Sequence, residues 1–270
     1  MDYTFNAQEH KTNLIKWIAD WFENNASPTS KAVIGISGGK DSTVVAKLCV
    51  EALGADRVFG VTLPMGDQAN LEISNQIIGY LGVESISLDI EPAARQMLAG
   101  LEASGVKLSK QAETNLLPRI RMTQLYLVAQ SIGGRVSNNC NLSETIMGYS
   151  TMWGDNVGSF SPLSGLTVHE VREIGHALGI PGEWVNRIPQ DDLNVAMVDG
   201  VEKVLSDEDV LGVSYRAIDS LARMGRDVSF ADDKLIVSAA RRNMFKRRTV
   251  NIASYDPGLP LLPELDVNNY

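Results

Sequence analysis

The sequence predicts an α/β protein, a doubly wound parallel sheet with helices on both faces. Short apolar runs rich in Val and Ile alternate with longer segments whose apolar residues recur at helical spacing. The short runs are apolar at consecutive positions, which is typical of strands buried on both faces. Each run is followed by a segment long enough for a right-handed crossover, so the strands are expected to be parallel.

Strand–helix units are predicted in the first half of the chain, after an initial helix over 13–22 that ends at a polar loop containing proline. Gly54 and Gly82 each stand directly after a predicted helix, where a residue without Cβ ends the helix readily. The predicted order is strand 32–36, helix 42–53, strand 58–62, helix 68–81, strand 84–89, helix 91–101, helix 116–132 and strand 135–139.

The periodicity weakens in the second half of the chain. Thr167 is predicted to cap a helix over 168–178, because Glu170 stands three positions later and completes a capping box. Residues 189–209 are polar, acidic and aperiodic, so we expect a mobile loop there and no regular element.

The C-terminal part is predicted to hold two helices, over 214–224 and 232–245. Three prolines within residues 256–263 predict an irregular tail over 256–270. Neither a composition break nor an internal repeat divides the chain, so we treat residues 1–270 as a single domain.

Composition limits the classes of partner. Asp and Glu number 33 against 24 Lys and Arg, which gives the 270 residues a net charge of −9. A surface of that sign repels phosphate backbones and anionic membranes, so we expect neither a nucleic-acid polymer nor a membrane as partner. The N-terminus lacks the features of a signal peptide, and no apolar run reaches the roughly 20 residues that cross a bilayer. These features favour a cytoplasmic protein.

The loop after the first strand, Gly35-Ile-Ser-Gly-Gly-Lys-Asp-Ser42, predicts a phosphate-binding turn. Ligands of such sheets bind at the carboxyl ends of the strands, where this loop lies. Its glycines let the backbone approach a ligand, and the first amides of the following helix are free donors. A Walker A loop is excluded because three residues, and not four, separate Gly35 from Gly39.

Asp41 is unusual in a phosphate loop, since a carboxylate repels a polyphosphate. A bound Mg²⁺ removes the conflict by bridging the carboxylate and the phosphate oxygens. The alternative is a glycine-rich turn in which Asp41 merely occupies the first turn of a helix.

The segment Ser37-Gly-Gly-Lys-Asp-Ser42 resembles the S-G-G-x-D-S loop of the N-type ATP pyrophosphatases, which adenylylate a substrate oxygen and release pyrophosphate. Five further segments, in the same order along the chain, resemble those of ammonia-dependent NAD synthetases. These segments are Leu63-Pro-Met-Gly-Asp-Gln68, Asn115-Leu-Leu-Pro-Arg-Ile-Arg-Met122, 141–155 with Asn-Leu-Ser-Glu and Gly-Tyr-Ser-Thr-Met-Trp-Gly-Asp, Ser161-Pro-Leu-Ser-Gly-Leu-Thr167 and Asp207-Glu-Asp-Val-Leu-Gly212.

The resemblance implies an adenine nucleotide alpha-hydrolase-like fold and a defined reaction. ATP would adenylylate the carboxylate of deamido-NAD (nicotinic acid adenine dinucleotide), and ammonia would displace AMP to form NAD. It also implies Mg²⁺, a homodimer with the active site near its interface, and free ammonia as the nitrogen donor, since 270 residues leave no room for an amidase domain.

The resemblance also implies the roles of individual residues. Asp41 and Glu144 would be the catalytic carboxylates and would share the Mg²⁺, although Glu144 taken alone is better explained as a solvated first-turn glutamate. The residues expected to bind ATP are Gly35, Ile36, Ser37, Gly38, Gly39, Lys40, Asp41, Ser42, Asn139 and Gln190. The residues expected to bind deamido-NAD are Arg119, Thr151, Asp155 and Lys246.

Five positions depart from the family pattern. Two lysines are replaced by Met152 and Val168, two threonines by Asn139 and Gln190, and a histidine by Phe245. Each lost lysine removes a donor to a phosphate or carboxylate. We expect that Lys40 and the basic cluster over 241–248 replace these donors, or that the site has altered geometry or weak activity.

Two alternative functions stay open. The same loop could adenylylate a different small acid, which substrate competition would reveal. A nucleotide-binding protein without catalysis would bind the dinucleotide tightly and release no pyrophosphate.

Overall fold

The computed structural model describes residues 4–66, 70–189, 195–198, 201–224, 229–248 and 252–266. Its elements in chain order are α1 (Ala7–Asn25), β1 (Ala32–Gly35), α2 (Lys40–Leu53), β2 (Val58–Thr62), α3 (Asn70–Leu81), β3 (Glu84–Ser87), α4 (Glu91–Ala103), α5 (Lys110–Ser131), β4 (Arg135–Val136), α6 (Leu142–Met147), β5 (Phe160–Ser161), α7 (Val168–Ala177), α8 (Gly182–Val185), β6 (Val195–Val198), β7 (Val201–Val204), α9 (Asp207–Leu211), α10 (Tyr215–Met224), α11 (Phe230–Arg242), α12 (Met244–Arg248) and β8 (Ala253–Ser254).

The central sheet is parallel and has the strand order β3-β2-β1-β4. Ala32 of β1 pairs with Val58 of β2 on one side and with Arg135 of β4 on the other. The chain therefore steps outward from β1 to β3 and then crosses back to place β4 beside β1. This reversal opens a crevice beyond the carboxyl ends of β1 and β4, where ligands of such sheets bind. The predicted doubly wound α/β fold is confirmed.

Helices cover both faces of the sheet. On one face α1, α2 and α7 pack together, and α1 buries Leu14, Ile18 and Phe22 completely. On the other face α5 packs Val128 and Ala129 against the strands. Burying each large apolar side chain contributes about 1.5–3 kcal/mol, so these two layers supply most of the stabilisation of the sheet. No helix among the described residues is long and apolar enough to cross a membrane.

A smaller apolar cluster joins α6, α10 and α11. Leu265, in a single 3₁₀ turn near the end of the described chain, is fully buried in this cluster. Leu262 N donates to Ala222 O at 3.0 Å and so attaches the same segment to α10. The cluster fixes α6 and α11, and α12 follows α11 after one residue. Both α6 and α12 contribute residues to the cavity described below.

Helices α1 and α5 each begin six residues before the predicted start, and side-chain caps explain where they begin. The Asn6 side chain accepts a hydrogen bond from Glu9 N, so α1 begins six residues before position 13. The Ser109 side chain accepts one from Ala112 N, so α5 begins six residues before position 116. The predicted cap and capping box of Thr167 and Glu170 are confirmed.

The prediction that residues 189–209 lack regular structure is wrong for part of the segment. Strands β6 and β7 form an antiparallel pair, and α9 follows, capped by Ser206. The sequence does carry the signal, since valines flank an Asp-Gly dipeptide at 199–200, which favours a two-residue hairpin turn. The acidic residues around these short valine-containing runs make the whole segment look like a polar loop.

Candidate active site

A cavity of about 560 Å³ lies beyond the carboxyl ends of β1 and β2 and of the segment after β4. One part of its wall is apolar and includes Val61, Leu63 and Leu125, and we call this part the apolar end. Another part is polar and includes Asp155 and Lys246, and we call it the polar end. The phosphate-binding turn predicted over residues 35–42 contributes all of its residues except Gly38 to the same wall.

The turn over 36–42 has the shape that a phosphate requires. Gly38 adopts a φ of 80°, in the left-handed region that favours glycine. Gly39 occupies the N-cap position of α2 without a side chain to satisfy the helix amides. Ser37 Oγ and Ser42 Oγ lie 3.2 Å apart and bridge the two ends of the turn. The amides at the start of α2 are therefore available to an anion.

Lys40 is buried in the wall of the cavity, with 4% of its surface exposed. Its Nζ donates to Asp41 Oδ2 at 2.7 Å and lies 5.9 Å from the centre of the Tyr215 ring. Burial lowers the pKa of Lys40, but the charges of Asp41 and Glu144 outweigh burial and raise the pKa above its usual value. Lys40 therefore stays protonated and balances the two carboxylates.

Asp41 and Glu144 are held by the same residue, Asn141. Asn141 Nδ2 donates to Asp41 Oδ1 at 3.2 Å, and Asn141 N donates to Glu144 Oε2 at 3.1 Å. Burial, and next the charge of Asp41, raise the pKa of Glu144 well above its usual range. The sequence predicts both carboxylates but not the bridge between them. The Asn-x-x-Glu spacing of a capping box was its signal.

The donor set suits Mg²⁺ bound together with phosphates. No group of three or more His, Cys, Asp or Glu side chains that could hold a metal occurs in the part of the chain that the structure describes. Mg²⁺ commonly takes one or two carboxylates and completes its shell with substrate phosphates and water. Asp41 and Glu144 both line the cavity and supply such a pair.

At the polar end, Asp155 Oδ1 accepts a hydrogen bond from Thr151 N at 2.7 Å. Lys246 Nζ donates to Gly148 O at 2.7 Å and to Ser150 O at 2.8 Å, so α12 is attached to the same segment. Burial raises the pKa of Asp155 and lowers that of Lys246. The structure thus brings three of the predicted substrate residues to one end of the cavity.

The other predicted residues are placed differently. Asn139 lines the cavity, and its Nδ2 donates to Gly35 O at 3.4 Å. Arg119 is exposed, and its Nε donates to Met152 O at 3.1 Å, outside the lining of the cavity. Gln190 lies outside the described residues.

The departures from the family pattern leave no cation at two positions. Val168 is 1% exposed and belongs to the apolar cluster of α6, α10 and α11. Met152 supplies its carbonyl to Arg119. Within the basic cluster, Lys246 lines the cavity, whereas Arg247 donates to Leu265 O at 2.6 Å and holds the C-terminal segment.

Two further residues line the cavity and are not predicted as site residues from the sequence. Asp207 is 5% exposed and accepts a hydrogen bond from Tyr215 OH at 3.0 Å. Arg187 donates from Nη1 to Gly38 O, in the phosphate turn, at 3.0 Å. Asp207 lies within the acidic segment 189–209 and Arg187 directly before it, and the interpretation of that segment as a loop gave no reason to place either residue at the cavity.

Comparisons with known proteins agree with this geometry. Residues 11–250 match the family model described as NAD synthase. The NH(3)-dependent NAD(+) synthetase of Streptomyces coelicolor is 31% identical over 258 residues, which cover 91% of each chain. A structure of NMN synthetase from Francisella tularensis is 30% identical, covers 90% of this chain and 97% of that one, and has a TM-score of 0.79. A structure of NAD+ synthetase from Burkholderia pseudomallei is 28% identical, covers 91% of both chains and has a TM-score of 0.72.

Proposed function

Because this chain belongs to the NAD synthase family, we propose that it uses ATP and ammonia to amidate the nicotinate carboxylate of deamido-NAD. The products are NAD, AMP and pyrophosphate. The observation that carries the proposal is the phosphate turn beside the Asp41–Glu144 pair, at the carboxyl ends of the central strands.

The chemistry explains why ATP is needed. A carboxylate oxygen is a poor leaving group, so ammonia does not displace it. The substrate carboxylate attacks the α-phosphorus of ATP, the α–β bond breaks and pyrophosphate leaves. Ammonia then attacks the carbonyl carbon of the mixed anhydride, and AMP departs. The protein has mainly to position these charged groups and stabilise the charge that develops.

The residues of the cavity have matching tasks. The amides of residues 38–42 would hold phosphate oxygens at the positive end of α2. Asp41 and Glu144 would hold Mg²⁺, which when bound neutralises phosphate charge and removes the repulsion between the two carboxylates. The apolar end, with Leu63 and Leu125, suits the adenine ring, and Asn139 stands beside it.

We assign the polar end to the pyridine nucleotide. Lys246 supplies a positive charge there, and the Thr151 side chain and the Asp155 carboxylate line the same wall. Arg119 extends the positive charge toward the outside of the cavity, where the distal part of a long substrate would lie. Gln190 remains a proposed ATP contact on the resemblance alone.

A second candidate substrate is the mononucleotide of nicotinate, which would give NMN. The observation that favours it is the structural likeness, since the NMN synthetase superposes with a TM-score of 0.79 and the NAD+ synthetase with 0.72. Both substrates present the same nicotinate carboxylate, so the same adenylylation and the same residues serve either one.

The test compares both substrates under identical conditions. We expect purified protein with Mg-ATP and ammonium to release pyrophosphate and to form an amidated nucleotide from one of the two acids. The ratio of kcat/KM for the two acids assigns the substrate. A reaction mixture without ammonium should accumulate no amide. ATP binding without amide formation from either acid would contradict the proposal.

A different surface bears on the oligomeric state. Leu127 on α5 and Ile132 directly after it are large apolar side chains that are 59% and 37% exposed. We propose a homodimer that covers them and predict a mass about twice the 29.4 kDa of the chain by light scattering. Leu127→Lys should shift the protein toward the monomer, and a monomeric parent protein at micromolar concentration would contradict the dimer.

We further propose that the chain acts as one catalytic domain in the cytoplasm, with residues 256–270 as an irregular tail. The family match over residues 11–250 supports the single domain. Limited proteolysis should release no stable fragment, and cell fractionation would establish the location.

A further inference from the structure

Arg187 is placed to act on the triphosphate of ATP. It lies between α8 and β6, lines the active-site cavity and donates from Nη1 to Gly38 O in the phosphate turn. We infer that Arg187 binds the β- and γ-phosphates and stabilises the pyrophosphate as it leaves. The inference rests on the proposed function, because pyrophosphate is the leaving group of the adenylyl transfer.

Lys40, the cation within the turn, is held in a buried ion pair. It is 4% exposed, and its Nζ donates to Asp41 at 2.7 Å and faces the Tyr215 ring. A lysine in these surroundings compensates the buried charges of Asp41 and Glu144. To reach the outer phosphates it would have to leave that ion pair, which is costly in a buried site.

The other cations among the described lining residues contact other segments. Arg121 Nε donates to Leu63 O at 3.0 Å. Lys246 Nζ donates to the carbonyls of Gly148 and Ser150. Arg187 lines the same cavity and donates directly to the phosphate turn.

The guanidinium suits this task. It carries five N–H donors in a planar fork, and Nη1 donates to Gly38 O in the phosphate turn. Arginine donates to phosphate oxygens with two parallel hydrogen bonds, which fixes orientation as well as charge. The bond to Gly38 O also holds the guanidinium beside the amides that would bind the same phosphates.

During adenylyl transfer, Arg187 is expected to contribute most when pyrophosphate leaves. A bond forms between the substrate carboxylate oxygen and the α-phosphorus, while the bond from that phosphorus to the α–β bridging oxygen breaks. The electron pair stays on the bridging oxygen, so negative charge grows on pyrophosphate and no proton has to move. N–H donors that meet this charge bind the transition state more tightly than ATP, which raises kcat.

Pyrophosphate affinity tests the inference directly. Calorimetry with Mg²⁺ should show that Arg187→Ala weakens pyrophosphate binding about 10- to 100-fold, the usual effect of losing a hydrogen bond to a charged group. Arg187→Lys should restore part of the affinity, since it keeps the charge and loses the fork. AMP affinity should change little. In turnover, kcat should fall with the KM for the pyridine nucleotide unchanged.

Arg95→Ala is the matched control, because it removes the same charge from an exposed residue of α4 that pairs with Glu91. An Arg187→Ala protein that binds pyrophosphate like the parent would overturn the inference. So would equal losses of AMP and pyrophosphate affinity, which would mean that Arg187 only maintains the shape of the turn. The calorimetry needs no pyridine nucleotide, so a failure of the proposed function in the amidation assay is separate from a failure here.

Discussion

Asp41→Asn is expected to lower turnover by about 10³-fold at saturating ATP and substrate, while the protein stays folded. The change removes one of the two carboxylates that face the phosphate turn. Without this carboxylate the Mg²⁺ that accompanies the triphosphate would lose one of its two protein ligands, so the transition state would be less stabilised. A thousandfold loss in rate corresponds to about 4 kcal/mol of transition-state stabilisation, at about 1.4 kcal/mol for each factor of ten. Steady-state release of pyrophosphate measures the effect.

The fold should survive because asparagine has the same shape as aspartate. Its amide oxygen still accepts the hydrogen bond from Lys40 Nζ, so the buried lysine keeps a polar partner. Thermal unfolding of the variant should therefore resemble that of the parent. Asp20→Asn, on the exposed face of α1, is the control for loss of one negative charge. If Asp41→Asn retained a tenth of the parent turnover or more, Asp41 would have no part in the chemistry.

Local patterns explain how much of this site the sequence could predict. Two local motifs define most of the site, the turn over 35–42 and the capping box at Asn141 and Glu144. Each motif spans at most eight consecutive residues. The alternation of strands and crossovers then predicts that both segments meet at one edge of the sheet. The confirmed doubly wound fold is what made this step reliable.

Contacts between distant segments could not be predicted in this way. The Arg187–Gly38 bond joins residues 149 positions apart, and it depends on how the chain returns from α8 to the turn. The cation–π contact between Lys40 Nζ and the Tyr215 ring likewise depends on the packing of α10. Neither contact has a sequence period or spacing, because tertiary packing alone brings the partners together.

Arg223→Met is expected to destabilise the protein by about 3–5 kcal/mol. The Arg223 and Glu170 side chains are 3% and 1% exposed, and they form two hydrogen bonds of 2.6 and 2.7 Å. Removing the arginine leaves the Glu170 charge buried without its cation, which is far more costly than losing an exposed pair. Arg223 also donates to Gly165 O and to Pro260 O, so the variant removes one of the bonds that attach the C-terminal segment to α10. Urea unfolding measures the loss.

The double variant Arg223→Met with Glu170→Met separates charge burial from packing. If the uncompensated carboxylate causes the loss, the second change should recover part of it, although the capping box of α7 is then lost as well. Lys16→Met, which breaks an exposed i,i+4 pair on α1, should cost less than about 1 kcal/mol. Equal losses from Arg223→Met and Lys16→Met would show that the buried pair contributes no more than a surface one. A double variant less stable than Arg223→Met would assign the loss to packing and capping, because removing the buried charge would then have brought no gain.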